Sequence, residues 1–335
     1  MKLKNLSRSI ALVSILSISC SLFGGCSLKN GSSQKQSFNN DAKYKVGICQ
    51  FVKHPALDRA TKGFKDYLTK KLGDDVTFDE QNAQGDAAVC TSITTTFTSN
   101  KYDLILANAT PALQAASAST NKIPILGTSV TDYATALGID SSKWSGNTGK
   151  NISGTSDLAP LSDQADCVKE LFPKAKTVGI LYCSSEANSA YQAKEFKKYI
   201  EKYGYVTKDY LFNDSNDVAS VAKTACDNSD ILYIPTDNTA ASCAEAINNV
   251  ALPAKTPIFC GEEGICKGCG VATLSIDYYD LGVQTGKLAY KVLKEKKNPK
   301  TLKIEYATKL TKEYNEKNCK KLGIKIPKDY KKIKK

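Results

Sequence analysis

A 335-residue chain with a single histidine commands a narrow range of side-chain chemistry. His54 alone excludes a histidine-built metal cluster and leaves one base for any serine or cysteine triad. It lies in Gln50-Phe-Val-Lys-His-Pro-Ala-Leu-Asp58, with no evident serine or cysteine partner, just ahead of a helix start near Pro55. At such a position the free backbone N–H groups of the helix can receive a carboxylate. A second loop, Cys183-Ser-Ser-Glu-Ala-Asn-Ser189, offers hydroxyls, an amide and another helix start. Five more polar turns follow strand-like runs: Asn108-Ala-Thr110, Gly127-Thr-Ser-Val-Thr-Asp132, Gly154-Thr-Ser-Asp157, Pro235-Thr-Asp-Asn238 and Gly261-Glu-Glu263. Singly, Ser and Thr in such turns are ordinary helix caps. Gathered on one rim, they suit a small polar solute.

Other chemistries find little support. Twelve cysteines occur, but Cys49, Cys90, Cys183, Cys226 and Cys260 sit singly in apolar runs, where a thiol acts as a small hydrophobe. Cys266-Lys-Gly-Cys269 is a tight pair, open to a local disulfide. Without a second pair or histidines it is a poor zinc motif, so no metal is expected. No G-x-x-x-x-G-K-[ST] occurs, and no G-x-G-x-x-G follows a strand pattern, which argues against NTP hydrolysis and dinucleotide cofactors through those loops. No cofactor is expected.

The loops are positioned by a duplicated α/β unit. Val46-Gly47-Ile48 recurs as Val178-Gly179-Ile180, and at the same offset Phe64 matches Phe196 and Tyr67 matches Tyr199. Each strand leads through a polar loop to an amphipathic helix, residues 56–72 and 190–203. Leu57, Ala60, Phe64, Tyr67 and Leu68 share one face of the first. Residues 103–107 parallel 230–234, residues 123–126 parallel 256–259, and helices are expected over 89–97 and 218–226. Strands alternating with helices specify parallel sheets covered on both faces. The fold class is therefore α/β, with two doubly wound Rossmann-like lobes: residues 42–157, then 158–276. Residues 277–335 are read as a helix and an edge strand (about 301–310) returning to lobe 1, with a lysine-rich tail. Ligands of open α/β sheets bind at the carboxyl ends of the strands, so two rims face each other across one cleft.

The N-terminus reads as an address. Lys2, Lys4 and Arg8 precede an apolar run from Ile10 to Ile18 that continues weakly to Phe23. That is a secretory leader (residues 1–26), too short for a stable span. It ends in Leu22-Phe23-Gly24-Gly25-Cys26, which resembles a bacterial lipobox with Phe23 where Leu is usual; Cys20 is a poorer alternative. Acylation of Cys26, palmitate being one such chain, would hold the protein on the outer face of the cell membrane. Residues 27–41 are polar and read as a tether. The formal charge is +12, but residues 291–335 alone hold 17 lysines against 5 acidic residues, so the body is neutral. A neutral body excludes a nucleic-acid groove; the basic end is expected to be solvated, near an anionic surface.

The run Val46-Gly-Ile-Cys-Gln-Phe-Val-Lys-His-Pro-Ala-Leu-Asp58 resembles the opening of substrate-binding lipoproteins of ABC transporters, in the branch associated with tryptophan and tyrosine uptake. Ala109-Thr-Pro-Ala112, Ser184-Ser-Glu-Ala-Asn-Ser189 and Asp277-Tyr-Tyr-Asp-Leu-Gly282 carry the same resemblance, which covers about residues 44–325. It implies the type I periplasmic-binding-protein fold, a monomer without enzyme activity, closure over an amino acid, and delivery to a membrane permease. It carries over Gln50, His54, Thr110, Thr128, Asp157, Ser185, Asn188, Ser189, Thr236 and Asp277 as pocket candidates. On that reading Asp157 or Asp277 accepts from the ligand's ammonium. Ser185, Ser189 and a helix N-terminus donate to its carboxylate, and Phe51, Leu57 or Tyr133 lies against its side chain. The same fold holding a sugar, nucleoside or purine is the alternative; a secreted thiol oxidoreductase built on Cys266 is the remoter one.

Overall fold

The computed structural model describes residues 42–334; the expected leader, Cys26 and the tether lie outside the described residues. Five strands begin the first sheet: β1 (Tyr44–Gln50), β2 (Val76–Asn82), β3 (Leu104–Asn108), β4 (Ile125–Val130) and β5 (Ile152–Ser156). Five more begin the second: β6 (Thr177–Cys183), β7 (Val206–Phe212), β8 (Ile231–Ile234), β9 (Ile258–Cys260) and β10 (Ala272–Ile276). Three short strands close the chain, β11 (Glu305–Tyr306), β12 (Leu310–Tyr314) and β13 (Lys331–Lys332). The orders are β11-β5-β4-β3-β1-β2 and β13-β12-β10-β9-β8-β6-β7. Each half thus repeats one doubly wound order, with all its five strands parallel.

Helices cover both faces. The first half holds α1 (Pro55–Leu72), α2 (Ala87–Ser99), α3 (Thr110–Ser119) and α4 (Tyr133–Leu137). The second holds α5 (Leu161–Leu171), α6 (Ala187–Ile200), α7 (Val218–Asp227), α8 (Asn238–Ser242), α9 (Ala244–Ala251) and α10 (Glu263–Gly268). Last come α11 (Tyr278–Leu293) and α12 (Glu316–Leu322). Alternate residues of one strand feed opposite layers. Val46 and Ile48 pack with Phe64, Leu68 and Leu288, whereas Cys49 packs with Cys90 and Phe97. Leu104 and Leu106 divide from Ile105 and Ala107 in the same way. The outer strands β2 and β7 escaped the hydrophobic pattern because they lie at sheet edges and carry polar residues on their open face. Conversely, Gly127 to Val130 and Gly154 to Ser156, read above as turns, are strand residues of β4 and β5.

The chain crosses between the lobes after β5, after β10 and after β11. Helix α11 returns to lobe 1 and presses on α1 backbone to backbone: a Cβ on Gly282 would stand 2.0 Å from the Ala60 carbonyl oxygen. The returning strand is only two residues long, β11 beside β5. The chain then crosses back, β12 pairs antiparallel with β10, and β13 follows β12. This corrects the expected lysine-rich tail on lobe 1. Residues 310–334 belong to lobe 2 because Leu310, Tyr314, Leu322 and Tyr330 bury against its core, leaving lysines outward. All ten described cysteines are free thiols, nine of them buried, Cys266 and Cys269 included. No described helix is long and apolar enough to cross a membrane.

Candidate binding site between the lobes

The carboxyl ends of the two sheets face each other, and the helix starts on the rims fall into two kinds. Asp132, Asp237, Glu262 and Asp277 cap α4, α8, α10 and α11 with their carboxylates. Among the described residues no side chain caps α1, α3 or α6, whose preceding residues are His54, Ala109 and Glu186. Their first N–H groups remain as an anion-binding resource. Backbone strain gathers at the same rim: Ala109 has φ 94° and Ser129, near the end of β4, has φ 54°. Non-glycine residues are held in that region only where their surroundings enforce it, commonly at ligand sites.

Polar side chains join the lobes. His54 Nε2 lies 3.2 Å from Asn238 Oδ1. The Asn238 amide nitrogen is spent on Glu186 Oε2 at 2.6 Å, so its oxygen accepts and the imidazole donates from Nε2. Burial holds the His54 pKa below its ordinary value, so the ring is neutral and Nδ1 is left as an acceptor. Glu186 also receives the Asn238 and Thr239 backbone N–H groups, the Thr239 hydroxyl and the Asn188 amide. Farther along, Gln192 Nε2 of α6 donates to Thr131 Oγ1 of lobe 1 at 3.3 Å. Thr131 in turn donates to Asp157 Oδ1 at 3.1 Å, and Tyr278 donates to its Oδ2 at 3.0 Å. At the cleft's outer side Arg59 reaches Glu263 at 3.1 Å and Asp277 at 2.7 Å.

Three carboxyl groups of the cleft are driven toward neutrality. Burial raises Asp157 to about 6, against its Tyr278 and Thr131 hydrogen bonds. Burial raises Glu262 to about 7, against the N–H groups of Gly264 and Ile265. Burial, helped by the nearby Glu186 carboxylate, raises Asp237 to about 8. A cationic group entering here would restore their charge.

Nine buried side-chain polar atoms among the described residues lack a partner, and five stand on these rims: His54 Nδ1, Asn108 Oδ1, Thr110 Oγ1, Ser129 Oγ and Asn188 Oδ1. Buried polar groups are nearly always satisfied, so a cluster of orphans marks a place where a polar molecule belongs. Of the residues nominated from sequence, His54, Thr110 and Asn188 carry such free atoms on the rims. The others hold the frame. Gln50 is spent on Val52, Asp58 and Thr61. Leu57 is a core side chain. Thr128 joins Thr155 and Thr285 in a hydroxyl chain beneath α11. Ser189 accepts from Asn188, and Thr236 engages Asn188 and Gln192 through its backbone. Ser185 is exposed and donates to the Asn213 carbonyl. Asp277 is a cap and ion-pair partner rather than a free acceptor. Tyr133 is locked against β5 through Thr155.

Residues not singled out from sequence do much of the joining: Asn108, Ser129, Glu186, Gln192, Asn238 and Tyr278. Asn108, Ser129, Glu186 and Asn238 stand inside the polar loops the sequence shows after its strands, and Gln192 lies one turn after Asn188 on the same helix face. Beside this network a cavity of about 470 Å³ opens between the lobes, with Phe51, Val52 and Pro111 on one wall and Ser185, Asn213 and Thr239 on the other. No group of His, Cys, Asp and Glu among the described residues is arranged to hold a metal ion.

Known proteins share this architecture. Residues 45–333 match the family described as ABC transporter substrate binding protein. A tyrosine-binding protein of Clostridioides difficile (strain R20291) is 37% identical over 294 residues, 86% of this chain and 84% of its own. The crystal structure of an ABC domain in complex with L-Trp from Streptococcus pneumonia is 33% identical, covers 86% of this chain and 97% of its own, and superposes with a TM-score of 0.81. A ligand-free, open substrate binding protein with adhesive properties from Clostridium difficile is 35% identical over 87% of this chain and 99% of its own. Its TM-score is only 0.66. In the present arrangement the lobes are joined directly across the cleft by the His54–Asn238, Gln192–Thr131 and Arg59 contacts.

Proposed function

The chain belongs to the family of ABC transporter substrate-binding proteins, and from that premise we propose that it captures an aromatic amino acid, tryptophan or tyrosine, between its lobes and delivers it to a membrane permease. The observation that carries the reading is the set of five orphaned polar atoms on the facing rims, beside three uncapped helix starts. A zwitterion needs both kinds of partner. Its carboxylate is served by N–H groups of the uncapped helices and by the Thr110 and Ser129 hydroxyls. Its ammonium is served by acceptors: His54 Nδ1, Asn108 Oδ1, Asn188 Oδ1 and the Asp157 carboxylate beyond. Phe51 supplies an aromatic wall. The relatives that bind tyrosine and tryptophan support the aromatic preference.

The protein acts outside the cytoplasm as a monomer, with residues 1–26 as leader, Cys26 acylated and residues 27–41 as tether. Closure buries the ligand, and the closed form is the one offered to the permease. Calorimetry of residues 27–335 against the twenty amino acids tests the reading. Saturable heat with tryptophan or tyrosine and none with aliphatic residues is expected. Heat with none of them, and a thermal shift with a sugar or nucleoside instead, would replace the amino acid by another solute.

A further inference from the structure

We propose that the outer base of lobe 1 is a docking face for anionic phospholipid headgroups. The inference rests on the reading that the residues before 42 lead to a membrane. All six strands of the first sheet run parallel, so their amino ends open on one face, opposite the cleft. The described chain enters at that face through Ala42 and Lys43, so chain continuity alone joins residues 1–41 to it.

The face is basic for reasons of position. Lys43 directly precedes β1, Lys150 stands two residues before β5 and Lys122 three before β4, and Lys296, Lys297 and Lys300 follow α11 as it descends to the same end. All six are exposed, and none is ion-paired with a described residue. The fold brings them together from distant parts of the sequence. Lys43 and Lys296 both hold their ammonium groups over the Tyr44 ring, at 5.6 and 5.4 Å. Lys122, Lys150 and Lys300 line one shallow depression of about 580 Å³. Lys296 and Lys297 line its neighbour, beside Tyr44 and Pro124. Acidic groups on this face are fewer than its lysines: Asp74 and Asp75 precede β2, Asp103 precedes β3 and Glu295 adjoins Lys296, four charges against six, with Lys70 and Lys71 ending α1 and Lys101 ahead of β3 exposed there as well.

Unpaired lysines in open depressions offer point charges to phosphodiesters, which a flat array of headgroups supplies in number. The other lysine-rich stretch, residues 317–332, lies on lobe 2, where Asn318 bonds the Gly270 carbonyl below the amino end of β10. That is the far end of the molecule, so the two basic regions cannot touch one membrane together.

Cosedimentation of residues 27–335, which include every described residue, with phosphatidylcholine vesicles with and without phosphatidylglycerol tests the face. Binding is expected only to the anionic vesicles, falling as salt is added. Each lysine near such a surface raises partition about fivefold. Lys122→Gln, Lys150→Gln and Lys300→Gln combined should therefore lower it by at least about tenfold. The same charge change on lobe 2, Lys317→Gln, Lys321→Gln and Lys325→Gln combined, should stay within about twofold. Equal losses for both triples, equal binding to neutral vesicles, or no binding at all would overturn the proposal. Amino-acid calorimetry on both triples checks that the cleft is intact. Incorporation of labelled palmitate into the full chain, lost in Cys26→Ser, reads the anchor by itself, so failure of the anchor and failure of the docking face are told apart.

Discussion

The two rims of the cleft are built from the same supersecondary unit and equipped differently. Lobe 1 presents mainly neutral groups beside the one buried carboxyl of Asp157, with four of the five orphaned polar atoms: His54 Nδ1, Asn108 Oδ1, Thr110 Oγ1 and Ser129 Oγ. Lobe 2 presents buried carboxylates, and each is occupied with its own lobe. Glu186 clasps Asn238 and Thr239, Asp237 takes the N–H groups of Cys183 and Ala240, and Glu262 takes those of Gly264 and Ile265. Lobe 1 is thus a receiving surface with unspent bonding capacity, and lobe 2 is a jaw whose loops are stapled rigid in advance. A pre-organised jaw loses little loop entropy on closing, which is how such a site gains affinity without adding contacts.

The contrast is broken most severely at Glu186. Glu186→Ala leaves Asn238, Thr239 and Asn188 donors buried without their acceptor, and Asn238 no longer presents its oxygen to His54. Removing one partner of such a network costs about 3 kcal/mol or more. We expect a melting temperature lower by several degrees and ligand affinity weaker by about a hundredfold or more. An unchanged melting curve would show that lobe 2 is not stapled as described.

His54 separates receiving from stapling. Among the described residues its Nδ1 has no partner, and its ring makes one hydrogen bond, the long one to Asn238. His54→Ala should therefore cost affinity, by about tenfold, with a melting change of a degree or two in the ligand-free protein. A large stability loss with unchanged affinity would make His54 a structural cap and move the ligand elsewhere on the rim.

The carboxylates give opposite pH signatures for stability and for binding. Asp157, Glu262 and Asp237 have folded-state pKa values raised to about 6, 7 and 8. Between pH 4 and 8 these three groups hold more protons in the folded form than in the unfolded one, so their contribution to stability falls as pH rises, opposed only below about pH 6.5 by His54, whose folded pKa is lowered by burial. Each group contributes up to about 1.4 kcal/mol per pH unit between its unfolded and folded values. Binding runs the other way at Asp157: an ammonium prefers the ionised carboxylate, so affinity should fall as pH drops below about 6. Melting scans and calorimetry over this range check both slopes; parallel slopes would remove Asp157 from the ligand's surroundings.

Much of this was legible in the sequence, and what was not has physical reasons. The duplicated Val-Gly-Ile strands and their following helices gave both lobes because buried parallel strands are continuous apolar runs. The edge strands β2 and β7 carry Asp79, Glu80, Lys208 and Asp209 and had no such run. The last crossing to β12 was hidden because a five-residue strand with two charges reads as tail. In the site, residue type gave the rim but not the division of labour. Thr110 and Thr128 look alike in sequence, yet one ends with a free hydroxyl and the other is consumed by Thr285. Only the approach of α11 decides between them.

The mildest break in the comparison concerns the outer latch. Arg59, on lobe 1, reaches Glu263 and Asp277, with Glu313 close enough for its carboxyl, raised to about 7 chiefly by burial, to be drawn down by the guanidinium. The bonds are short, but the Arg59 side chain is 41% exposed and its partners 25% and 39%, so water and salt screen them. Exposed pairs of this kind contribute about 1 kcal/mol or less. Arg59→Gln should therefore weaken ligand binding by no more than about fivefold, the loss vanishing in high salt, with most of it in a faster off-rate as the lobes reopen. A loss as large as that of Glu186→Ala would mean that closure is held by this surface pair, and that the buried staple of lobe 2 only shapes a jaw whose grip comes from outside the cleft.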